Sequence, residues 1–239
     1  MRNNKVAIYL AASSLMLGVV LAAGIPDVKA LYAKGSFKEA SDMAATLKTA
    51  EGFVWAAKSL SIYAQTRPVS EQDDHYAKAE GYATKAIDLD ANNADGYFEL
   101  ARADGRLSQL RGVLASLAQG YGSKIKENLD KAIKLNPKHA SAMVALGLWH
   151  AEIVNKGVAW LYGADGRQIS PLMEAAIKLE PDQVIHRVEY ARALVLLDRA
   201  KYKERAIDLL EGALKLKPSD AAEQLDYARA QRDLAELKK

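Results

Sequence analysis

The side chains with the most chemical reach in this 239-residue chain are four histidines, His75, His139, His150 and His186, set among 30 aspartates and glutamates. A helix aims two ligands, or an acid and a base, at one point only when they stand three or four positions apart. No two of the histidines do. Cysteine is absent, which excludes disulfides, thiolate metal sites and thiol nucleophiles. The chain has no Gly-x-Ser-x-Gly elbow, no His-Glu-x-x-His pair and no glycine-rich phosphate loop. Adjacent acids such as Asp73 and Asp74 suit the positive end of a helix. The expectation is therefore a protein that is not an enzyme and that uses no metal and no cofactor.

Recognition is the chemistry these residues suit better. Trp160-Leu161-Tyr162-Gly163 places two aromatics in a glycine-containing stretch, 156–170. Aromatics exposed on a loop recognise partners or ligands. The alternative is that Trp160 folds back and fills a gap between two helices. A tetrapeptide, Ala-Asp-Gly-Arg, occurs at 103–106 and at 164–167. The second copy reads as a turn with Asp-Gly at its tip, the first as helix interior, so the echo carries no shared role.

The elements that must position these residues are helices. Alanine, leucine and lysine are abundant, and apolar residues recur at helical spacing, as in Leu194, Leu197 and Ala200 against Ile207, Leu210 and Leu214. No segment alternates with period two between turn residues. One pentapeptide recurs four times: Ala86-Ile-Asp-Leu-Asp90, Ala132-Ile-Lys-Leu-Asn136, Ala176-Ile-Lys-Leu-Glu180 and Ala213-Leu-Lys-Leu-Lys217. Proline follows the last three, at Pro137, Pro181 and Pro218. The intervals are 46, 44 and 37 residues. Glycines at 120 and 122 predict a turn with Ser123 capping the helix after it, and Ser219 is placed to cap a final helix from Asp220 to about Leu237.

The Ala-[Ile/Leu]-x-Leu-x-Pro signature resembles the end of the second helix of a tetratricopeptide (TPR) repeat. Met143-x-x-Leu146-Gly147-x-x-His150 resembles its first helix, and Gly147 is the small residue that lets paired helices approach. A TPR unit is about 34 residues, so these units are expanded. The resemblance implies an all-α, right-handed solenoid of helical hairpins with a C-terminal capping helix. Asp226, Arg229, Arg232 and Asp233 would form the polar outer face of that cap. A closer likeness covers 144–197, with Gly-Leu-Trp-His, Ala-Trp-Leu-Tyr-Gly, Lys-Leu-Glu-Pro and His-Arg-Val-Glu-Tyr-Ala in order. It is similar to bacterial relatives of the regulators of microtubule dynamics and, more distantly, to the T-components of TRAP transporters. By the family's spacing the first helices line a concave groove. That places Phe98, Arg102 and Arg106, then Val144, Leu148 and Glu152, then Val188 and Arg192, on its wall. Arg102, Arg106 and Arg192 would grip a carboxylate or an acidic peptide end, or else form intrahelical pairs such as Glu99 with Arg102. His150 is read as the bulky packing residue of its repeat in preference to a polar handle in the groove. The partner expected is a protein or peptide, with Trp160 and Tyr162 near the groove mouth. The alternative is a hydrophobic small molecule carried for a transporter.

Arg2 and Lys5 precede a stretch, Val6 to Ala23, whose only polar residues are Ser13 and Ser14. Gly24, Pro26 and the small-residue pattern Val28-Lys29-Ala30 then read as a signal peptide over 1–30, cleaved after Ala30, with a helical domain at 31–239. The alternative is an uncleaved inner-membrane anchor through residues 6–23. Either way the destination is periplasmic, secreted or membrane-attached. Without cysteine there is no lipoprotein anchor. The formal charge is +3 overall. It falls to +1 once residues 1–30 are set aside, leaving 30 basic and 29 acidic residues. A nearly neutral chain has no general attraction for nucleic acid.

Overall fold

The computed structural model of the protein describes residues 24–239. Among them are eleven α-helices, one short 3-10 turn and no strand. The helices are α1 (Ile25–Ala33), α2 (Phe37–Thr46), α3 (Ala50–Gln65), α4 (Val69–Leu89), α5 (Ala94–Ala118), α6 (Tyr121–Leu135), α7 (Ala140–Asn155), α8 (Ala159–Tyr162), α9 (Ile169–Leu179), α10 (Val184–Leu214) and α11 (Ala221–Leu237). Successive helices pack as antiparallel hairpins, giving an all-α helical-hairpin solenoid. None of these helices is long and apolar enough to cross a membrane. The apolar stretch 6–23 lies outside the described residues.

The recurring pentapeptide ends a helix each time: α4 at Leu89, α6 at Leu135, α9 at Leu179 and α10 at Leu214. Its alanine, at 86, 132, 176 and 213, is wholly buried. A methyl group is all that fits where two helices approach so closely. At the first three ends the next backbone N–H, of Asp90, Asn136 or Glu180, donates to that alanine's carbonyl at 2.9–3.0 Å. Asn136 and Glu180 are extended, with φ −130° and −133°. That is the conformation a following proline imposes, so Pro137 and Pro181 stop the helix where the last turn has closed.

Two long helices contain a break. In α10, Asp198 leaves helical geometry (φ −166°, ψ 100°), and its carboxylate accepts from the N–H of Lys201 at 2.9 Å. Asp198 thus acts as the N-cap of the second half, where the three extra residues of the last interval lie. In α5 the break is Gly112, at φ 81°. The turn into α6 is carried by Gly120 in the left-handed region (φ 66°), and α6 opens at the buried Tyr121. Ser123 is therefore inside the helix and caps nothing. Likewise Asp220, not Ser219, caps α11, accepting from the N–H of Glu223 at 2.9 Å.

The two ends of the solenoid meet. Gly24 caps α1, Pro26 sits in its first turn, and Val28 is wholly buried. Val28, Tyr32 and Phe37 share a core cluster with Ala222 of α11. A Cβ built on Gly35 would lie 3.2 Å from the Cβ of Ala221. The capping helix exists, but the expected outward flank is corrected: Asp226 and Arg229 turn inward across the concave side. Their polar character reflects a polar interior surface, which the helical pattern alone does not distinguish from solvent. The residues 24–30 assigned to the signal are part of this folded end.

Candidate binding cavity

Closure of α11 onto α1 converts the concave side into a cavity of about 270 Å³. Phe98, Ile125, Leu129, Val144, Leu148 and Trp149 supply its apolar wall, and its charged residues include Lys58, Arg102, Arg106 and Arg229 with Glu152, Glu189, Asp220, Glu223 and Asp226. Phe98, Arg102, Arg106, Val144, Leu148 and Glu152, all expected at the groove, stand in this one wall. Val188 does not: it is wholly buried in the cluster between α10 and α11. In its place α10 presents Ile185 and Glu189.

The charged residues form a relay across four helices. Arg106 donates to Gln109 Oε1 at 3.2 Å. Gln109 donates to Glu152 Oε1 at 2.9 Å, and Arg192 reaches the same oxygen at 2.8 Å. Arg192 also approaches Glu189 at 3.5 Å, and Arg229 donates to Glu189 at 2.8 Å. The chain thus runs from α5 through α7 and α10 to α11. Burial pushes the Glu189 carboxyl up, but Arg229 and Arg192 outweigh it and hold the group down at about 2. Burial and the nearby Glu189 push Asp226 the other way, to about 7. Two carboxyls on adjoining helices therefore hold opposite protonation preferences.

Arg102 is tied elsewhere. It pairs with the buried Glu99 on its own helix and donates to the Lys58 carbonyl at 3.1 Å. The intrahelical pair weighed from the sequence is the arrangement present. Lys58 lines the same wall, with its ammonium 4.8 Å from the Trp55 ring centroid and 5.2 Å from that of Tyr32. Burial lowers its pKa, against the opposing pull of Glu99.

The aromatic insert divides its two roles. Trp160 is 82% exposed and fills no gap. Tyr162 packs with the α6–α7 cluster, its ring so close to Gly122 that a Cβ there would lie 2.5 Å from Cε1. Trp149 adds a hydrogen bond from Nε1 to the Gly122 carbonyl at 2.9 Å. His150 is buried and its Nδ1 accepts from the N–H of Asp165 at 3.0 Å, so it anchors the insert from beneath. Neither residue of the exposed pair Trp160–Leu161 borders the cavity. Glu189 was not singled out in the sequence, and Arg229 was read only as part of the cap's outer face. The one signal was an ion-pair-capable residue at a position where the helical pattern places core: Glu189 follows Val188 and precedes Tyr190 and Ala191, all buried.

Residues 25–161 match the family model described as regulator of microtubule dynamics protein 1-3. Regulator of microtubule dynamics protein 1 of Bos taurus is 27% identical over 124 residues, which are 50% of this chain and 38% of that protein. The chain thus matches well under half the length of that relative. A thermophilic TPR protein of Thermus thermophilus superposes with a TM-score of 0.63 at 19% identity, over 87% of this chain and 96% of that one. That likeness is one of fold. The family match ends within the aromatic insert, so Glu189, Arg192 and Arg229 lie beyond it.

Proposed function

This chain belongs to the regulator of microtubule dynamics family, and from that premise we propose that it is a binding scaffold which holds a segment of a partner protein in its central cavity. A TPR-like helical scaffold suggests a protein-interaction role. The observation that carries the finer reading is the convergence of Phe98, Arg102, Arg106, Val144, Leu148 and Glu152 on one wall, opposite α11. Apolar anchors beside a few charges are the composition that peptide recognition uses. The scaffold performs no catalytic step and needs no cofactor. It acts outside the cytoplasm, at the periplasmic face of the inner membrane. Residues 6–23 serve as the anchor, because cleavage after Ala30 would remove Val28 from a core it fills completely. Intact-mass measurement of the membrane-associated protein decides that point: a chain beginning at Leu31 would refute anchoring.

Photo-crosslinking in cells tests the binding reading. A photoreactive residue at position 148 should yield discrete protein adducts, and one at the outward position 34 should not. Equal labelling from both positions would sink it. A second reading, a carrier of a hydrophobic small molecule, draws on the apolar share of the cavity wall. A co-purifying small molecule in native mass spectrometry, with no protein adduct at 148, would favour it.

A further inference from the structure

Arg106, Arg192 and Arg229 meet at a recess beside the cavity, and the three guanidiniums are not equivalent. Arg192 holds Glu152 at 2.8 Å and approaches Glu189 at 3.5 Å. Arg229 holds Glu189 at 2.8 Å and approaches Asp233 at 3.5 Å. Arg106 has no carboxylate partner among the described residues, and its one side-chain hydrogen bond goes to the amide oxygen of Gln109. These three arginines, with Gln65 and Gln72, face a shared recess whose wall contains no carboxylate. The recess adjoins the main cavity, and Gln65, Arg106, Gln109 and Arg229 border both.

A guanidinium bonded only to an amide keeps most of its planar fork of donors for an oxyanion. The apolar wall begins about two turns away on the same helix. Phe98 and Arg106 stand eight positions apart on α5, on one face, with Val144 and Leu148 of α7 in the same wall. We propose that the cavity binds a carboxylate carried on an apolar stem: the carboxylate sits on Arg106 between Arg192 and Arg229, and the stem lies along Phe98, Val144 and Leu148. This rests on the reading of the cavity as a binding surface and names what it reads. A single negative charge meets the one guanidinium of the three that has no carboxylate at ion-pair distance among the described residues; Glu189 and Asp226 act on Arg106 only through space. A doubly charged phosphate ester would bring a second charge towards Glu152 and Glu189, which already occupy the neighbouring arginines. The same chemistry has two sources, the C-terminus of a partner polypeptide or a free aliphatic acid.

Isothermal titration of the purified full chain separates them. The probes are octanoate, octanamide, and a hexapeptide ending in leucine as its free acid and as its C-terminal amide. At least one acid should bind saturably, with its amide tenfold weaker or worse. Arg106→Gln should weaken that acid tenfold or more. Arg106→Lys, which keeps the charge and loses the fork, should fall between. Octanoate binding alone assigns free acids, and peptide-acid binding alone assigns a C-terminus. Equal affinity for acid and amide, no binding of either acid, or an acid affinity untouched in both folded Arg106 variants would overturn the proposal. If the acids fail while adducts at position 148 persist, the carboxylate is wrong and the scaffold reading stands.

Discussion

Glu189→Gln should be among the most destabilising single-atom changes available to this protein. Glu189 is 6% exposed and lies between Arg192 and Arg229. Its carboxyl stands at about 2 in the fold against an ordinary 4.5. That difference corresponds to about 3 kcal/mol of native-state stabilisation at pH 7. Truncating one partner of a buried ion pair generally costs about 3–5 kcal/mol, because the other charge stays buried. Glutamine keeps the shape and one acceptor, so about 3 kcal/mol is the expected loss. A domain of this size loses roughly 2–4 °C per kcal/mol, so the midpoint of thermal unfolding followed by circular dichroism should drop by about 6–12 °C. The sign with pH follows from a depressed carboxyl. Its contribution is complete above the ordinary value near 4.5 and is lost as pH falls towards 2, so wild type and Glu189→Gln should converge across that window. Pairing with Arg229→Gln should give a double variant less destabilised than the two single losses added. A drop under about 1 kcal/mol at pH 7, or a difference that persists unchanged at about pH 2, would refute the reasoning.

Other outcomes are expected at His186, at two glycines and in the aromatic insert. His186 is 1% exposed, neither ring nitrogen makes a well-formed hydrogen bond, and burial lowers it from 6.5 to about 4, with Arg187 adding to that and Glu180 and Glu223 opposing. The unfolded chain therefore takes up its proton first, and about 3 kcal/mol should be lost as pH falls from 6.5 to 4. His186→Leu should flatten that part of the urea-unfolding profile. Gly52→Ala should cost about 1–3 kcal/mol, since its Cβ would lie 2.8 Å from the rigid carbonyl oxygen of Ala44. Gly147→Ala should cost under about 1 kcal/mol, because the nearest obstacle, at 2.9 Å, is the mobile terminal methyl of Met173. Trp160→Ser should change stability by no more than about 0.5 kcal/mol, whereas Tyr162→Ala should exceed that clearly in the same denaturant titration.

The hairpins were legible because local chemistry repeats. A buried alanine, a leucine one turn on and a proline after the cap write the same stop three times over, and the structure ends α6, α9 and α10 there. The interval lengths likewise announced units longer than a TPR repeat, and the aromatic insert and the break at Asp198 fall inside two of them. The groove wall was readable from α5 and α7, whose positions follow from spacing within one repeat. Asp226 and Arg229 were misread for a reason of the same kind. Whether a polar flank meets water or another helix depends on superhelical displacement summed over every hairpin, and no local pattern encodes that sum. Arg102 and Val188 show the same limit at finer scale: a rotation of part of a turn decides between ligand wall, ion pair and core. Gly112 broke α5 without a neighbouring proline or polar cluster to announce it.

A helical array normally transmits stability only from neighbour to neighbour, so its end units fray and unfold piecemeal. The contact of Ala222 with Val28 and Tyr32 joins residues nearly two hundred positions apart. It turns an open chain of nearest-neighbour couplings into a closed loop of them, in which neither end is free. Unfolding then has to break one seam before anything else can peel away. Native-state hydrogen exchange should accordingly show the first and last helices opening together, with near-equal free energies. The same long-range contact makes refolding slower than the local hairpins alone would allow.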